Sequence, residues 1–396
     1  MKTPIQEICI ISIHYPWRDQ ASYVFVEQLV SAFVDMGIRC WVVVPKSVTN
    51  SIMRKMPMPP RTYEAETLNG KPYTVLAPRF VTCSSLPGFL KSFGEHINNG
   101  LFVRAARKAA RKAMGRRGFQ PDIFYGHFFH CAGLAAAKLG NAYGRPFFVA
   151  CGENRLNDVD DLGVDWMRSC MEGIAGVVAV SSANRDEVLK RNLAQDRLIK
   201  VFVNGINPKR FYPRDKEAIR AQWGFKQEDF IVCFVGGLIE VKGPLRLAAA
   251  LRQLEGVKVI FAGKGGQMPD CPGILHCGPV AHEKVPELMS AADVFVLPTQ
   301  AEGCCNAIIE AMACGLPVIS SDMPFNYDVL NKGNAILIDP NNIDQIRDAI
   351  KTLRDDPERR RHMSQAALQT AAGLTVENRA RRILAFLQER IADGDR

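Results

Sequence analysis

Residues 297–322 read LPTQAEGCCNAIIEAMACGLPVISSD. A strand ends at Pro298, a loop carries Glu302 and Gly303, and a helix begins near Asn306 and includes Glu310. The apolar run 318–320 then reads as the next strand. Strand, helix and strand in so short a span is the unit of a parallel sheet, because parallel neighbours need a helical crossover. The same alternation runs outward both ways. Strands are expected at 231–235, 257–262, 274–277, 294–297 and 335–338, and an earlier series at 8–15, 40–44, 73–76, 123–125, 147–150, 177–180 and 199–202. Helical patterns fall between them; in 23–35, Val26, Leu29, Val30 and Phe33 share one face. Residues 47–72, rich in Pro, Met and polar side chains, read as an excursion from the sheet. The fold class is α/β. Turn formers at Asn204-Gly205-Ile206-Asn207-Pro208 and Pro213 mark a hinge, so the expected parts are 1–203, 204–375 and a closing helix, 376–396. Two α/β units of similar size are expected to leave a cleft for ligands.

With 47% hydrophobic and 23% charged residues, the chain of 396 has a globular balance. No apolar run approaches the roughly 18–20 residues that span a bilayer. The start, MKTPIQEICIISIHYP, lacks the apolar core and cleavage site of a secretory signal. A cytoplasmic protein is expected. The 12 cysteines are scattered without any CxxC, which suits core packing in a reducing compartment. Net charge is +9, and all of the excess lies in the first half: residues 1–200 hold 26 Lys and Arg against 17 Asp and Glu, residues 201–396 hold 24 of each. That half is expected to face something acidic.

Loop amides at a helix start, with the helix dipole behind them, favour an anion. Glu302 and Glu310 beside such a site suit hydroxyl groups flanking a phosphate. Taken alone, a capped helix with an exposed Glu would explain them equally well. In 235–243, VGGLIEVKG, Gly236 and Gly237 allow close backbone approach, and Lys242 can set a cation on a diphosphate. Alone this is a weak signal that a tight turn explains better, and the turn Gly263-Lys264-Gly265-Gly266 is similarly weak. Neither is GxGxxG or a P-loop, which counts against a dehydrogenase and a P-loop NTPase.

Together these stretches resemble the retaining GT-B glycosyltransferases of family 4 (group 1). Glu302-Gly303 through Glu310 resembles the family's paired-glutamate motif, EAMACGLPVISSD continues it, and GGLIEVKG resembles its donor loop. VNGIN and Cys277-Gly278-Pro279-Val280 fall where the family has similar turns; His14-Tyr15-Pro16 and Pro121-Asp122-Ile123 through His127 are looser matches. The resemblance implies two Rossmann-like domains facing each other across a cleft, with the last helix crossing back to the first. It implies an acceptor-binding N-terminal domain and a C-terminal domain that binds a UDP- or GDP-sugar without a metal. Glu310 would hold the ribose, and Lys242 the diphosphate. Glu302 and the amides from Gly303 through Cys304 and Cys305 to Asn306 would hold the sugar and its phosphate. Gly236 and Gly237 would lie against the donor, and the turn from Gly278 to Val280 would present backbone to the base. Where the family often has Arg, this chain has Gly237; where it often has His, the sequence is Cys151-Gly152-Glu153-Asn154. Glu153 is therefore a candidate to act near the reacting centre. Of the HxxH pair, His127 is expected to line the cleft and His130 to be structural. Asp158-Val159-Asp160-Asp161 mimics a metal-binding DxD but reads as an exposed acidic turn, and Met53, Met56 and Met58 as loop packing.

Residues 102–117, FVRAARKAARKAMGRR, carry seven cations and no acid between Phe102 and Arg117, with Phe102, Ala106, Ala109 and Ala113 on one face. A one-sided basic helix suits an anionic membrane surface. The apolar stretch 86–90 adds lipid contact, and nothing suits nucleic acid. The expected function is transfer of a sugar from a nucleotide-sugar to a lipid-linked or polysaccharide acceptor at the inner face of the membrane. A nucleotide-sugar epimerase on the same fold, and a non-catalytic subunit of an assembly complex, are the alternatives.

Overall fold

The computed structural model describes residues 4–18, 23–82, 91–153 and 156–394. The strands are β1 (Glu7–Ile11), β2 (Arg39–Val43), β3 (Lys46–Ser47), β4 (Thr62–Glu66), β5 (Pro72–Leu76), β6 (Arg79–Phe80), β7 (Ile123–His127) and β8 (Phe147–Cys151). They continue as β9 (Gly176–Ala179), β10 (Ile199–Val201), β11 (Phe230–Val235), β12 (Val257–Ala262), β13 (Ile274–Gly278), β14 (Val294–Leu297), β15 (Val318–Ser321) and β16 (Ala335–Ile338). An eight-stranded sheet has the order β10-β9-β8-β7-β1-β2-β5-β4, a six-stranded sheet the order β13-β12-β11-β14-β15-β16, and β3 pairs with β6. All pairs of the six-stranded sheet are parallel. In the larger sheet only β4–β5 is antiparallel. The chain forms two compact units: one runs to Phe202 and takes the chain back from Arg379 onward, the other is Val203–Asn378.

In the first unit, β7 and β8 are buried along their whole length, as strands covered on both faces must be. The Lys91–Arg117 helix lays Phe102, Ala106, Ala110 and Ala113 into this core, near Trp41 and Phe119. Its apolar stripe is thus covered by the protein, and Arg104, Arg107, Lys108, Arg111 and Lys112 remain exposed. The Val376–Gly394 helix closes the unit: Arg379 Nε donates to the Phe202 carbonyl at 3.2 Å, and the Phe386 ring stands 5.7 Å from that of Phe202.

The stretch 47–72 is not wholly an excursion, because it supplies edge strand β4. Thr62 to Glu66 alternates between exposed and half-buried, so no apolar run announces it. Its pairing follows from the turn at 67–71, where Thr67 Oγ1 accepts from the amides of Asn69 and Lys71 and Gly70 takes φ +75°. Met53 and Met56 are exposed rather than packed. The apolar stretch 86–90 and Asn154 lie outside the described residues.

In the second unit, helices such as Asn306–Ala313 pack on a core around Phe234, Phe261 and Phe295. The segment that enters this unit is tied to the one that leaves it: Ile206 N–H donates to Leu374 O at 2.8 Å and Val376 N–H to Ile206 O at 3.0 Å. A Cβ on Gly205 would lie 2.6 Å from backbone atoms of Thr375 and Val376, neither of which can step aside alone. Gly205→Ala is expected to cost about 1–3 kcal/mol and to lower the urea midpoint of the full chain. An unchanged midpoint would mean that the crossing yields freely.

Candidate active site

Three loops at the carboxyl ends of β11, β12 and β13 are stitched together backbone to backbone. Gly236 N–H donates to Ala262 O at 3.0 Å, Leu238 N–H to Lys264 O at 2.9 Å, Gln267 N–H to Leu238 O at 2.9 Å and Gly263 N–H to Gly278 O at 2.8 Å. The approach leaves no room for side chains: a Cβ on Gly263 would lie 1.8 Å from Gly236 O, and one on Gly265 2.0 Å from Leu238 O. The weakly signalled turn 263–266 is therefore the wall on which the Gly236–Gly237 loop rests. Gly236 and Gly237 differ from it. A Cβ at either meets nothing nearer than 3.4 Å, so packing within the protein does not require glycine there.

The loop after β14 is held from below. Ser320 Oγ donates to Leu297 O at 2.8 Å, Ser321 Oγ donates to Thr299 O, and Asn326 Nδ2 holds Ser321 O at 2.8 Å. Gln300 N–H donates to Val241 O at 2.8 Å, which joins this loop to the turn carrying Lys242. The result is an ion pair between the Lys242 ammonium and Glu302, whose side chains are only 18% and 9% exposed. Gly303 and Cys305 are buried behind it and Cys304 is half-buried. Cys305, the N-cap of the Asn306–Ala313 helix, makes no side-chain cap hydrogen bond. The Ile308 amide has only a weak contact with this thiol, so the first turn keeps donors without a capping oxygen. Asn306 Oδ1 accepts from Asn204 Nδ2 at 2.9 Å, tying the helix start to the entering segment.

Glu310 follows one turn later. Burial lifts its carboxyl to about 7, with the charge of Arg210 opposing the shift. No described residue donates a hydrogen bond to this carboxylate. Arg210 went unnoticed in sequence because it lies in a run of turn formers. Its Nε and Nη2 are buried without a hydrogen-bond partner among the described residues, and Glu283 Oε1 stands 4.0 Å from Nη2. Glu310, Arg210 and Glu283 form a charged group with spare hydrogen-bonding capacity. Val280 is half-buried against the core of the same unit.

The first unit has its own polar and aromatic cluster at the carboxyl ends of β1, β7 and β8. Tyr23 lies edge-on to His14 at 5.0 Å and to Phe128 at 5.4 Å, and Phe25 lies 5.4 Å from His127. Glu153 accepts from Phe129 N–H at 3.2 Å and Gly152 N–H at 3.0 Å, yet burial still raises its carboxyl to about 7. The turn over it is strained: Phe128 has φ +81° and Cys131 φ +52°. Such non-glycine conformations cost about 1–3 kcal/mol each and cluster at functional sites.

Two family models match the chain: "Glycosyltransferase Family 4" over residues 24–210 and "Glycosyl transferases group 1" over residues 215–370. The chain belongs to the group 1, family 4 glycosyltransferases. A Bacillus subtilis protein named as a teichuronic acid biosynthesis glycosyltransferase is 27% identical over 342 residues, 83% of each chain. The alpha-maltose-1-phosphate synthase of Mycolicibacterium smegmatis is 31% identical over 225 residues, 49% of this chain and 57% of that protein. Among solved structures, the sucrose-phosphate synthase of Thermosynechococcus elongatus superposes with TM-score 0.76 at 19% identity, over 98% of this chain and 100% of its own. Anabaena HepE in complex with UDP superposes with TM-score 0.73 at 18% identity, over 97% and 100%. The fold is accordingly GT-B, with two Rossmann-like α/β domains.

In this glycosyltransferase the sequence-derived residues fall into two sets. Gly236, Gly237, Lys242, Gly278, Val280, Glu302 to Asn306 and Glu310 belong to the second unit; His127 and Glu153 belong to the first. His127 is 1% exposed, so it lies beneath the aromatic cluster and lines no open surface. Burial, reinforced by Arg379, drops its imidazole to about 3, and it is neutral at physiological pH. His130 is hydrogen-bonded to Asn99 at 3.1 Å. Residues 158–161 are not a loose turn but part of the Asn157–Leu162 helix, where Arg191 holds both oxygens of Asp160 at 2.7 Å.

The raised Glu153 carboxyl has a signed consequence for stability. Its contribution is complete below the ordinary glutamate range, near 4.5, and is lost as pH climbs through about 7. Glu153→Gln is uncharged throughout, so its thermal midpoint relative to wild type should be higher at pH 8 than at pH 5. Equal differences at the two pH values would show that Glu153 is not buried in this way.

Proposed function

We propose that this glycosyltransferase moves a sugar from a nucleotide-sugar to a lipid-linked or polysaccharide acceptor with retention of configuration. The observation that carries the reading is the pairing of Lys242 with Glu302 beside an uncapped helix start, with the unpartnered Glu310 one turn further on. Lys242 and the first-turn amides meet the negative charge that grows on the diphosphate as the glycosidic bond breaks, and no metal is required in that role. Glu302, already close to Lys242, holds sugar hydroxyls. Glu310 accepts the ribose hydroxyls, and the charge of Arg210 favours its ionised form. Gly236 and Gly237 lie open, and a donor laid along them would use that room; the missing Arg at 237 leaves Lys242 as the main cation of the loop. Glu153 acts at the acceptor side, where a carboxyl titrating near 7 can take or give a proton.

The HepE complexes with UDP and UDP-glucose support a nucleotide-sugar donor. The relative named for teichuronic acid biosynthesis supports a surface-polysaccharide acceptor. Among the described residues no helix is long and apolar enough to cross a membrane. The five exposed cations of the Lys91–Arg117 helix suit peripheral association with an anionic membrane.

Glu310 accepts from two hydroxyl groups with both oxygens, and most strongly, when it is ionised. UDP or GDP affinity should therefore fall about tenfold between pH 8 and pH 6, with proton release on binding. Glu310→Gln should remove that dependence and weaken binding by about 1.5–3 kcal/mol, and Lys242→Ala should weaken it at least as much. Calorimetry that finds flat pH profiles and unchanged affinities would refute the donor site.

Retention makes a separate prediction. The anomeric coupling constant of the product, read by NMR, should match that of the donor, and turnover should persist in EDTA. An inverted product would exclude same-face attack.

A further inference from the structure

Between the Lys91–Arg117 helix and the β2-β5-β4 edge of the larger sheet lies a pocket of about 250 Å³. None of the residues assigned to donor or acceptor chemistry lines it. Its floor is apolar, with Trp41, Leu76 and Ala109 among the lining residues, whereas its charged members are Arg61, Arg79, Lys108 and Lys112. Among the described residues no carboxylate lines it. Arg61, Lys108 and Lys112 make no ion pair with any described residue.

Arg79 is built in rather than draped over the surface. Its Nη1 donates to Ala77 O at 3.4 Å and its Nη2 to Pro59 O, so the planar fork is oriented before any ligand arrives. Burial, and then the charge of Arg61, push this guanidinium below its usual range. Lys46 is lowered in turn by burial and by Arg79. Like charges gathered without a counter-ion oppose one another, and a bound anion removes that opposition. The pocket is smaller than the roughly 300–1,000 Å³ that encloses a drug-sized ligand. It takes a headgroup-sized fragment: a tetrahedral anion for the cations, with a short carbon stem over Trp41 and Ala109. Arginine forks match phosphate oxygens in pairs.

We propose that this pocket binds a phosphate-bearing small group, presented either as a soluble phosphate ester or as the headgroup of an anionic phospholipid. The inference concerns residues other than those of the proposed reaction and is read without turnover; its lipid arm deepens the membrane association proposed above, with which it shares Lys108 and Lys112.

Two probes separate the sources: sn-glycerol 3-phosphate titrated calorimetrically into the full chain, and co-sedimentation with phosphatidylglycerol vesicles compared with phosphatidylcholine vesicles. Arg61 and Lys112 are both exposed, so Arg61→Gln with Lys112→Gln should leave the fold intact. That double variant is expected to weaken binding of whichever probe binds by about tenfold or more. Arg104→Gln with Arg111→Gln removes the same charge from residues that line a different groove on the helix; affinity for glycerol phosphate should stay within about twofold, and vesicle binding should fall less than in the first double variant. Binding of glycerol phosphate supports the pocket with a soluble ligand. Binding of phosphatidylglycerol vesicles alone, with the same contrast between variants, supports it with a lipid headgroup. If neither probe binds, or both double variants lose affinity equally, the cations are a diffuse surface charge and the proposal falls.

Discussion

Gly263 cannot carry a side chain, because the carbonyl of Gly236 occupies the space where its Cβ would be. The arrangement of loops at the carboxyl ends of β11, β12 and β13 follows from that contact. It brings the loop after β11 against the loop after β12, and the Gly263–Gly278 hydrogen bond joins the turn after β13 to both. Held this way, the β11 loop runs into the turn that carries Lys242, and Gln300 binds that turn to the loop of Glu302. Several strands thus deliver their loops to one surface through main-chain contacts, which lose less order to thermal motion than long side chains would. The two serines of β15 complete the arrangement from beneath.

The charges on this scaffold are held at a cost. Lys242 and Glu302 are largely shielded from water, and shielding an ion pair consumes much of the Coulombic attraction between its members. Glu310 and Glu153, in different units, are both lifted to about 7 by burial. Neither has a full ion-pair partner; Glu153 has two backbone amides and Glu310 the field of Arg210. Groups poised near neutrality and short of partners are where a fold retains unused binding capacity. The strained backbone at Phe128 and Cys131, directly over Glu153, belongs to the same description.

Legibility in the sequence tracked burial. Strands covered on both faces, such as β8 and β11, are continuous apolar runs and were readable nearly to the residue. Edge strand β4 was not, because half of its side chains face water and its pairing is decided by Thr67 and Gly70 in the following turn. Lys242, Glu302 and Glu310 could be singled out as loop, helix start and carboxylate, but only the resemblance to a known family gave them roles, because a tight turn and a capped helix explain the same spacing. Arg210 was not, since nothing local distinguishes an arginine that will be buried from one that will be solvated. His127 was expected to line the cleft from a loose match at a strand end; the packing of Phe25 and Phe128 against it leaves the imidazole buried.

The sequence alone therefore determined the class of fold, since periodicity is a local property that survives without coordinates, and its resemblance to a known family pointed to that family and to the residues proposed for the donor. The tertiary structure decided which glycines are compulsory and which are merely open. It also decided which carboxylates are left without partners, and where uncompensated cations converge on a pocket. Those properties depend on distances between residues far apart in the chain, and only the folded packing of the strands and helices sets such distances.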